Sequence, residues 1–256
     1  MEKLEKLVEE LEEESNEEGI EESIEGKQIK TLQDIGKLLL TEYIIQVGDL
    51  TIKPLLVEAY YYHQGKFNDS NSHGFGDKKI DKECREQLSK NFNRFYFHKK
   101  GRGGVDVCLS KGDYCLSFLI KVALINGKVY KQIDIYNKLI KETIDNTKDV
   151  LTSTYDITNS FVCVPRKNTH KGDYTLTPLA ILSVESFKNK EETDAILSSL
   201  ETGYKKQWVL AKYAQEKVGF NYEEACEIIK RENLYSYKIE RQYFDGALNY
   251  IKEQEN

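Results

Sequence analysis

Seven stretches rich in Val, Ile, Tyr, Phe and Thr dominate the middle of this sequence and constrain its fold more than any other feature. Gly, Asn or Asp separates many of them, as expected for strands that are joined by turns. Their polar interruptions exclude a transmembrane helix, which needs about 18 consecutive apolar residues. The predicted strands are Tyr43–Val47, Thr51–Tyr61, Phe95–His98, Gly104–Leu109, Tyr114–Leu124, Phe161–Val164 and Tyr174–Val184. A β-sheet therefore forms the centre of the predicted fold.

Helical periodicity borders these strands. A short helix is predicted from Thr31 and another over Ile133–Ile144, because apolar residues recur there every three or four positions. Beyond residue 186 the same period predicts a helical appendage. We therefore predict three regions: an acidic tail over residues 1–26, a mixed α/β core of the α+β type over residues 27–186, and a helical C-terminal region over residues 187–256.

The N-terminal region is strongly acidic. Residues 1–26 hold twelve glutamates and two lysines, a balance of −10 in a chain of −6, which leaves +4 for the rest. Leu4, Leu7, Val8 and Leu11 fit one helix face, and we expect a solvated, frayed helix with a linker over residues 15–26. The alternatives are a helix that docks a protein partner and a tail that covers a basic groove of its own chain. The mildly basic remainder permits nucleic-acid or nucleotide binding.

Cysteine usage bears on the compartment. The chain has five cysteines and no CxxC pair. This pattern predicts buried free thiols in a reducing compartment and argues against a structural zinc site. The acidic N-terminus also lacks the basic and then apolar pattern of a secretory signal. We therefore expect a cytoplasmic protein.

A carboxylate within a predicted strand is the first candidate for chemistry. If Val57 and Ala59 face the core, Glu58 lies on the opposite face with Tyr60 and Tyr62, because successive strand residues alternate. A carboxylate among aromatic rings is a candidate general base. The alternative is a surface glutamate on a half-exposed strand.

The loop Ser72–Lys79 is a second candidate. It combines His73 with glycines and the adjacent cations Lys78 and Lys79. The loop is either simply solvated or lies over a phosphate backbone, where the lysines would act as point charges.

A third candidate, residues 94–106, leads aromatic residues into a basic, glycine-rich turn and then to Asp106. Aromatic and basic side chains together suit base stacking with phosphate contact, and glycines let backbone amides approach an anion. Neither a Walker motif nor GxGxxG is present, so nucleoside triphosphate hydrolysis and Rossmann-type binding lack support. The alternative is a tight hairpin between two core strands. The further candidate residues are Phe95, Tyr96, Phe97, His98, Lys100 and Arg102.

Two cations lie in or beside apolar strands. Lys121 interrupts the apolar run Leu116–Leu124, and Arg166 follows Val164-Pro165. Because an unpaired charge is costly to bury, each must reach the surface or find an anion. Lys121 is the stronger candidate for a role in a site.

The succession of these motifs resembles the alkyladenine (3-methyladenine) DNA glycosylase family. The resembling segments are Leu55–Tyr60, Ser72–Lys79, Arg94–Gly101, Val105–Val107 and Leu119–Ala123. Their order and rough spacing agree over about residues 45–182, around half of the chain. The resemblance implies a mixed α/β domain with a curved antiparallel sheet and helices around it, and an enzyme that needs no metal or other cofactor.

The resemblance also implies roles for particular residues. Glu58 would deprotonate a water that attacks the sugar C1′, with Lys121 assisting beside it. Tyr60, His73 and an aromatic residue from Phe95–Phe97 would hold the base, which must leave its stack before it can be cut from the sugar. The implied ligand is therefore DNA or a nucleotide.

Three positions depart from the family pattern. Lys100, or His98 if the register slips, stands where an aromatic wedge is typical, Lys121 where an arginine is typical, and Asp106 where an amide is typical. Two further hypotheses therefore stand beside a DNA glycosylase. The same pocket could bind or sense a nucleotide or a single-stranded end without catalysis, or the acidic helix and C-terminal helices could dock a protein partner.

Overall fold

The computed structural model describes residues 1–16, 21–69, 72–76, 78–98, 103–142, 149–153, 161–165, 178–183 and 190–199. Within them the helices are α1 Glu2–Glu14, α2 Glu21–Thr41, α3 Lys79–Leu88, α4 Gln132–Leu139 and α5 Lys190–Ser199. The strands are β1 Tyr43–Val47, β2 Leu50–His63, β3 Phe67–Asn68, β4 Phe92–Phe97, β5 Val105–Leu109, β6 Cys115–Ile125, β7 Lys128–Lys131, β8 Leu151–Ser153, β9 Phe161–Pro165 and β10 Pro178–Ser183.

Strand β2 organises a curved antiparallel sheet. It pairs with β6 along one side and with β1, β10 and β3 in turn along the other. Strands β5 and β4 continue the sheet beyond β6, and β8 lies beyond β1. The predicted fold class, α+β with a curved antiparallel sheet and surrounding helices, is confirmed. Of the predicted helical C-terminal region, α5 is described and residues 200–256 lie outside the described residues.

Alternate residues of the central strands form two faces, as expected from Val57 and Ala59. The core face belongs to the main hydrophobic core and carries Val57, Ala59, Tyr61, Phe118 and Ile120. The opposite face, which we call the polar face, carries Glu58, Tyr60, Tyr62, Asp106 and Ser117. Most of these polar-face residues are also buried, so the sheet is covered on both sides.

Helix α2 packs on the core face. A Cβ atom on Gly36 would lie 2.2 Å from Ile181 Cδ1 and 3.2 Å from Phe118 Cε1, so the glycine permits a close approach to the sheet. Leu32, Ile35 and Leu39 are buried in the same core. The predicted helix from Thr31 is therefore present, but it begins ten residues earlier, at Glu21.

Helix α1 differs from the expectation of a solvated tail. Leu4, Val8 and Leu11 are completely buried, and the Ser15 hydroxyl lies 2.6 Å from the Tyr61 hydroxyl on the core face. The acidic side of α1 is used as well, because Lys111 Nζ lies 3.0 Å from Glu5 and 2.8 Å from Glu9. The solvated-helix prediction was wrong because these three apolar residues find partners far along the chain. The linker predicted over residues 15–26 was wrong from Glu21 onward, because α2 begins there.

The local sequence pattern predicted some of the remaining strands and helices and missed others. Each predicted strand has a counterpart, although residues 174–177 lie outside the described part of the chain. The helix predicted over Ile133–Ile144 ends at Leu139. Helix α3 and the short strands β3, β7 and β8 were not predicted. In the described part of the chain, no helix combines the length and apolar character needed to cross a membrane.

Candidate active site

The polar face gathers candidate residues from three neighbouring strands. Leu119 of β6 pairs with Glu58 on one side and with Asp106 on the other, so both carboxylates point to the same face. One step along, Ser117 pairs with Tyr60 and with Cys108. Directly opposed residues share a face in an antiparallel sheet. The register therefore brings together residues that are 48 positions apart in the chain.

Glu58 is held by two polar neighbours. Its side chain is 5% exposed. The Tyr60 hydroxyl donates a hydrogen bond of 3.0 Å to Glu58 Oε2, and Lys121 Nζ lies 3.8 Å from the same oxygen. The contact with Lys121 is an ion pair rather than a hydrogen bond, because its length exceeds hydrogen-bond distance. Tyr60 thus orients a carboxylate whose charge Lys121 balances.

A β-bulge occurs at Lys121. Val57 pairs with Ile120 but Leu56 pairs with Val122, which makes Lys121 the extra residue of β6. A second irregularity follows at once on β2, beside Pro54, whose nitrogen cannot donate to a ladder. Lys121 lies two residues beyond Leu119, the regular partner of Glu58, so alternation gives it the same face, and the bulge bends β6 at this point.

His98, Asp106 and Ser117 form a buried polar chain. His98 Nε2 lies 2.6 Å from Asp106 Oδ1, and the Ser117 hydroxyl donates a 2.8 Å hydrogen bond to Asp106 Oδ2. Asp106 is 2% exposed and His98 is 8% exposed. Because an ionised carboxylate only accepts hydrogen bonds, Nε2 of His98 carries a hydrogen in this pair. Both oxygens of Asp106 are thereby engaged, as burial of a carboxylate requires.

Three rings cluster beside this chain. The His73 ring centroid lies 4.3 Å from that of His98, and His73 Nδ1 lies 3.2 Å from the Tyr96 hydroxyl. Tyr96 also contacts Cys84 Sγ at 3.4 Å. Burial, followed by the contact with Cys84, raises the pKa of Tyr96, which therefore stays a neutral phenol. The cluster offers ring faces and polar edges together, which is what recognition of a heteroaromatic base requires.

Helix α3 and the loop before it cover the Tyr62 end of the polar face. Arg85 Nη1 donates hydrogen bonds of 3.2 Å to the Tyr62 hydroxyl and 2.9 Å to the Gly74 carbonyl oxygen. Gly74 has φ +100°, and a Cβ there would lie 2.7 Å from Arg85 Cγ. Glycine is therefore needed where the loop carrying His73 turns against α3.

Other candidate residues lie elsewhere. Phe95 belongs to the core-face cluster, and Phe97 packs against that cluster and Tyr136, so neither shares the face of Glu58. Alternation explains the difference, because Tyr96 and His98 take the polar-face positions of the same segment. Lys78 and Lys79 are exposed at the start of α3, where Lys79 Nζ lies 3.8 Å from Glu83. Lys100, Arg102 and Arg166 lie outside the described residues.

Sequence reasoning missed three residues that contact this cluster. Ser117 is a lone hydroxyl in an apolar strand; alternation along β6 gives it the same face as Leu119, but only the register sets it opposite Tyr60. Arg85 and Cys84 lie on α3, and nothing in the local sequence connects them with β2 or β4. Among the described residues, no group of three or more His, Cys, Asp or Glu side chains is arranged to hold a metal ion.

No protein-family model, curated protein or solved structure is significantly similar to this chain. The arrangement of the polar face therefore carries the functional argument.

Proposed function

We propose that this protein hydrolyses the N-glycosidic bond of a modified base, in DNA, with Glu58 as the general base. One observation carries the proposal. A buried carboxylate oriented by Tyr60 and balanced by Lys121 shares a sheet face with the ring cluster of His73, Tyr96 and His98. The combination of a base catalyst with a cluster of rings on one sheet face suits a substrate that has a sugar carbon beside a flat heterocycle.

The chemistry needs few groups. Glu58 accepts a proton from water as the water oxygen forms a bond to C1′ of the sugar. The bond between C1′ and the base nitrogen breaks, and the departing base takes the electron pair and a proton from solvent. Tyr60 holds the carboxylate oxygen in place, and Lys121 offsets its charge in a site with little water.

The ring cluster supports the same proposal from the side of the base. A base extruded from its stack loses stacking energy, which aromatic side chains restore in part. His73, His98 and Tyr96 supply such surfaces, and the Asp106 carboxylate holds His98 in one orientation. Phe95 and Phe97 have no part in this ring cluster because they lie on the core face.

The decisive experiment measures free base released from DNA by mass spectrometry. Duplex and single-stranded DNA carrying alkylated or deaminated bases would be incubated with the protein and with Glu58→Gln. We expect release that Glu58→Gln lowers by about 100-fold or more, because general-base catalysis contributes roughly 10²–10⁴. Glu10→Gln, at an exposed position of α1, is the matched control and should release base normally.

Two controls make the result interpretable. Glu58→Gln leaves Lys121 without its anion, so circular dichroism and thermal unfolding must show that the variant is folded. Glu58→Gln/Lys121→Gln removes both charges and should be folded and equally inactive. Unimpaired release by folded Glu58→Gln would refute the assignment of Glu58.

The second candidate function is nucleotide binding without catalysis. Its support is the burial of the two acidic residues. As whole residues, Glu58 is 3% exposed and Asp106 is 2% exposed, and both already have protein partners. The same incubation separates the two, since stabilisation by nucleotides without base release would favour binding alone. A cytoplasmic location, in keeping with the free thiols of Cys84, Cys108 and Cys115, belongs to either proposal.

Docking of a protein partner through α1 has less support. The apolar side of α1 is already occupied by its own chain, since Leu4, Val8 and Leu11 are completely buried. Of the predicted C-terminal helical region, α5 is described and residues 200–256 lie outside the described residues.

A further inference from the structure

A cavity of about 300 Å³ lies on the polar face at the far end of β2 from Glu58, between α3 and the start of β6. It is separate from the cluster around Glu58 but shares Tyr62 with that face. The side chains that carry the argument are Tyr62, Lys82, Arg85, Glu86, Asp113 and Cys115.

Arg85 is the pre-positioned cation of this cavity. Its Nη1 atom is committed to Tyr62 and to the Gly74 carbonyl oxygen, which fixes the plane of the guanidinium group. A guanidinium group has five N–H donors, so Nη2 and Nε keep three with which to meet an anion. Arginine held in this way is suited to phosphate oxygens, which accept a planar pair of hydrogen bonds.

The charges around Arg85 favour an anion. Lys82 adds an exposed cation on the same helix, three residues before Arg85, and both side chains line the cavity. Two acidic side chains, Glu86 and Asp113, also line the cavity. The charge of Asp113 is offset by Lys90, whose Nζ lies 2.8 Å from it. Glu86 is then the acidic group of the lining that is set against Lys82 and Arg85. Burial raises the pKa of the Cys115 thiol to about 12 even though Arg85 beside it acts in the opposite direction, so the thiol adds no negative charge at neutral pH.

The distance from Glu58 matches the spacing between nucleotides of one strand. Glu58 and Tyr62 are four residues apart on one strand, which corresponds to roughly 13 Å at about 3.3 Å per residue. That is a few nucleotides along a strand of DNA. A strand whose modified base lies against Glu58 can therefore place a neighbouring phosphate at Arg85.

We propose that this cavity is a second nucleotide subsite, which binds a phosphate of a single-stranded segment a few nucleotides away from the base at Glu58. The inference rests on the proposed function for the identity of the strand. It adds that the substrate is an oligonucleotide and that a mononucleotide leaves the subsite empty.

The test measures binding of fluorescent single-stranded DNA of two, four, six and eight nucleotides to the full chain by anisotropy at several salt concentrations. Lys82→Gln is the diagnostic variant, because Lys82 is exposed and its loss leaves Arg85 and Tyr62 in place. Lys128→Gln, exposed at the start of β7 on a different part of the sheet, is the charge-matched control. Arg85→Lys, which keeps the charge but loses the planar fork, is the second variant.

We expect affinity to rise steeply once the strand spans both sites. Lys82→Gln should weaken binding of the longer strands several-fold and reduce the slope of log affinity against log salt by about 0.7, the value for one lost contact with a single strand. Lys128→Gln should match the unmodified chain. Arg85→Lys should weaken binding more than Lys82→Gln does.

The outcomes separate this inference from the proposed function. Equal binding by Lys82→Gln, Arg85→Lys and Lys128→Gln would overturn the subsite, even if base release proceeds. Competition by inorganic phosphate as strong as that by the longest strand would also overturn it, because the cavity would then take a free anion. Length-dependent binding that Lys82→Gln weakens, without base release from any substrate, would support the subsite and refute the glycosidase.

Discussion

The two faces of the central sheet are built from the same strands and are buried to similar depth, yet they are stabilised differently. The core face consists of apolar side chains such as Val57 and Phe118 beneath α1 and α2. The polar face buries polar groups in pairs, Glu58 with Lys121 as an ion pair and Asp106 with His98 through a hydrogen bond. Buried ion pairs contribute little net stability compared with apolar packing. The comparison therefore associates stability with the first face and chemistry with the second.

The largest effect should come from the core face. Phe118→Ala removes a completely buried ring beside α2, and we expect a loss of about 3–5 kcal/mol in the free energy of unfolding, because the ring's transfer energy and the cavity left behind both count. Urea unfolding measures it. Base release per folded molecule should be unchanged, and a loss below about 1 kcal/mol would contradict this division between the faces.

The N-terminal helix provides a second test of the core face. Leu11→Ala should lower the free energy of unfolding by about 2–5 kcal/mol, since Leu11 is completely buried against the main core. Glu10→Ala, its exposed neighbour, should stay within about 0.5 kcal/mol. If Leu11→Ala lowered the free energy of unfolding no more than Glu10→Ala does, α1 would be a solvated tail.

Changes on the polar face should cost less stability and more activity. Asp106→Asn keeps the size of the side chain but replaces the carboxylate that accepts hydrogen bonds from His98 and Ser117. We expect a loss of about 1–3 kcal/mol, with a larger proportional fall in base release. Ser117→Ala, which removes the donor to Asp106 Oδ2, should lower stability by about 1 kcal/mol. Asp106→Asn that left base release at the unmodified rate would separate Asp106 from the site.

The smallest effect concerns Lys111, which ties α1 to the sheet. Burial acts to lower the pKa of Lys111, but its hydrogen bonds to Glu9 and Glu5 outweigh burial and raise the pKa above 10.5. The stabilisation is therefore complete below the unfolded value and is lost as pH rises through the folded value. Lys111→Met should cost up to about 1 kcal/mol at pH 8. Unfolding of both proteins from pH 8 to 12 should show that difference shrinking, and a constant difference would argue against the ion pairs.

The local sequence predicted the strands and one feature of the site. The alternation of Val57, Glu58, Ala59 and Tyr60 assigned these residues to faces correctly, because alternation depends only on a strand being a strand. The same rule applied to residues 95–98 would have separated Phe95 and Phe97 from Tyr96 and His98. Helix α3 was missed because its apolar stripe is short and lies among charged residues.

Pairing across the sheet was beyond the reach of local pattern. The contact of His98 with Asp106 depends on the β4–β5 register, and that of Lys121 with Glu58 depends on the β2–β6 register, which sets Leu119 opposite Glu58. Arg85 reaches Tyr62 only because the glycine at position 74 lets the intervening loop pack closely on α3. Each of these contacts joins segments whose own sequences are equally compatible with other partners.

By itself the amino-acid sequence determined where the longer strands lie, that the chain is helical after Thr31 and after Ile133, and which residues of a strand share a side, because these properties follow from backbone geometry within a few residues. The tertiary structure decided that both sides of the sheet are buried, that the acidic N-terminal helix belongs to the core, and that Glu58 lies between Tyr60 and Lys121. These outcomes depend on surfaces supplied by distant segments, since burial and charge pairing are properties of two partners and not of one.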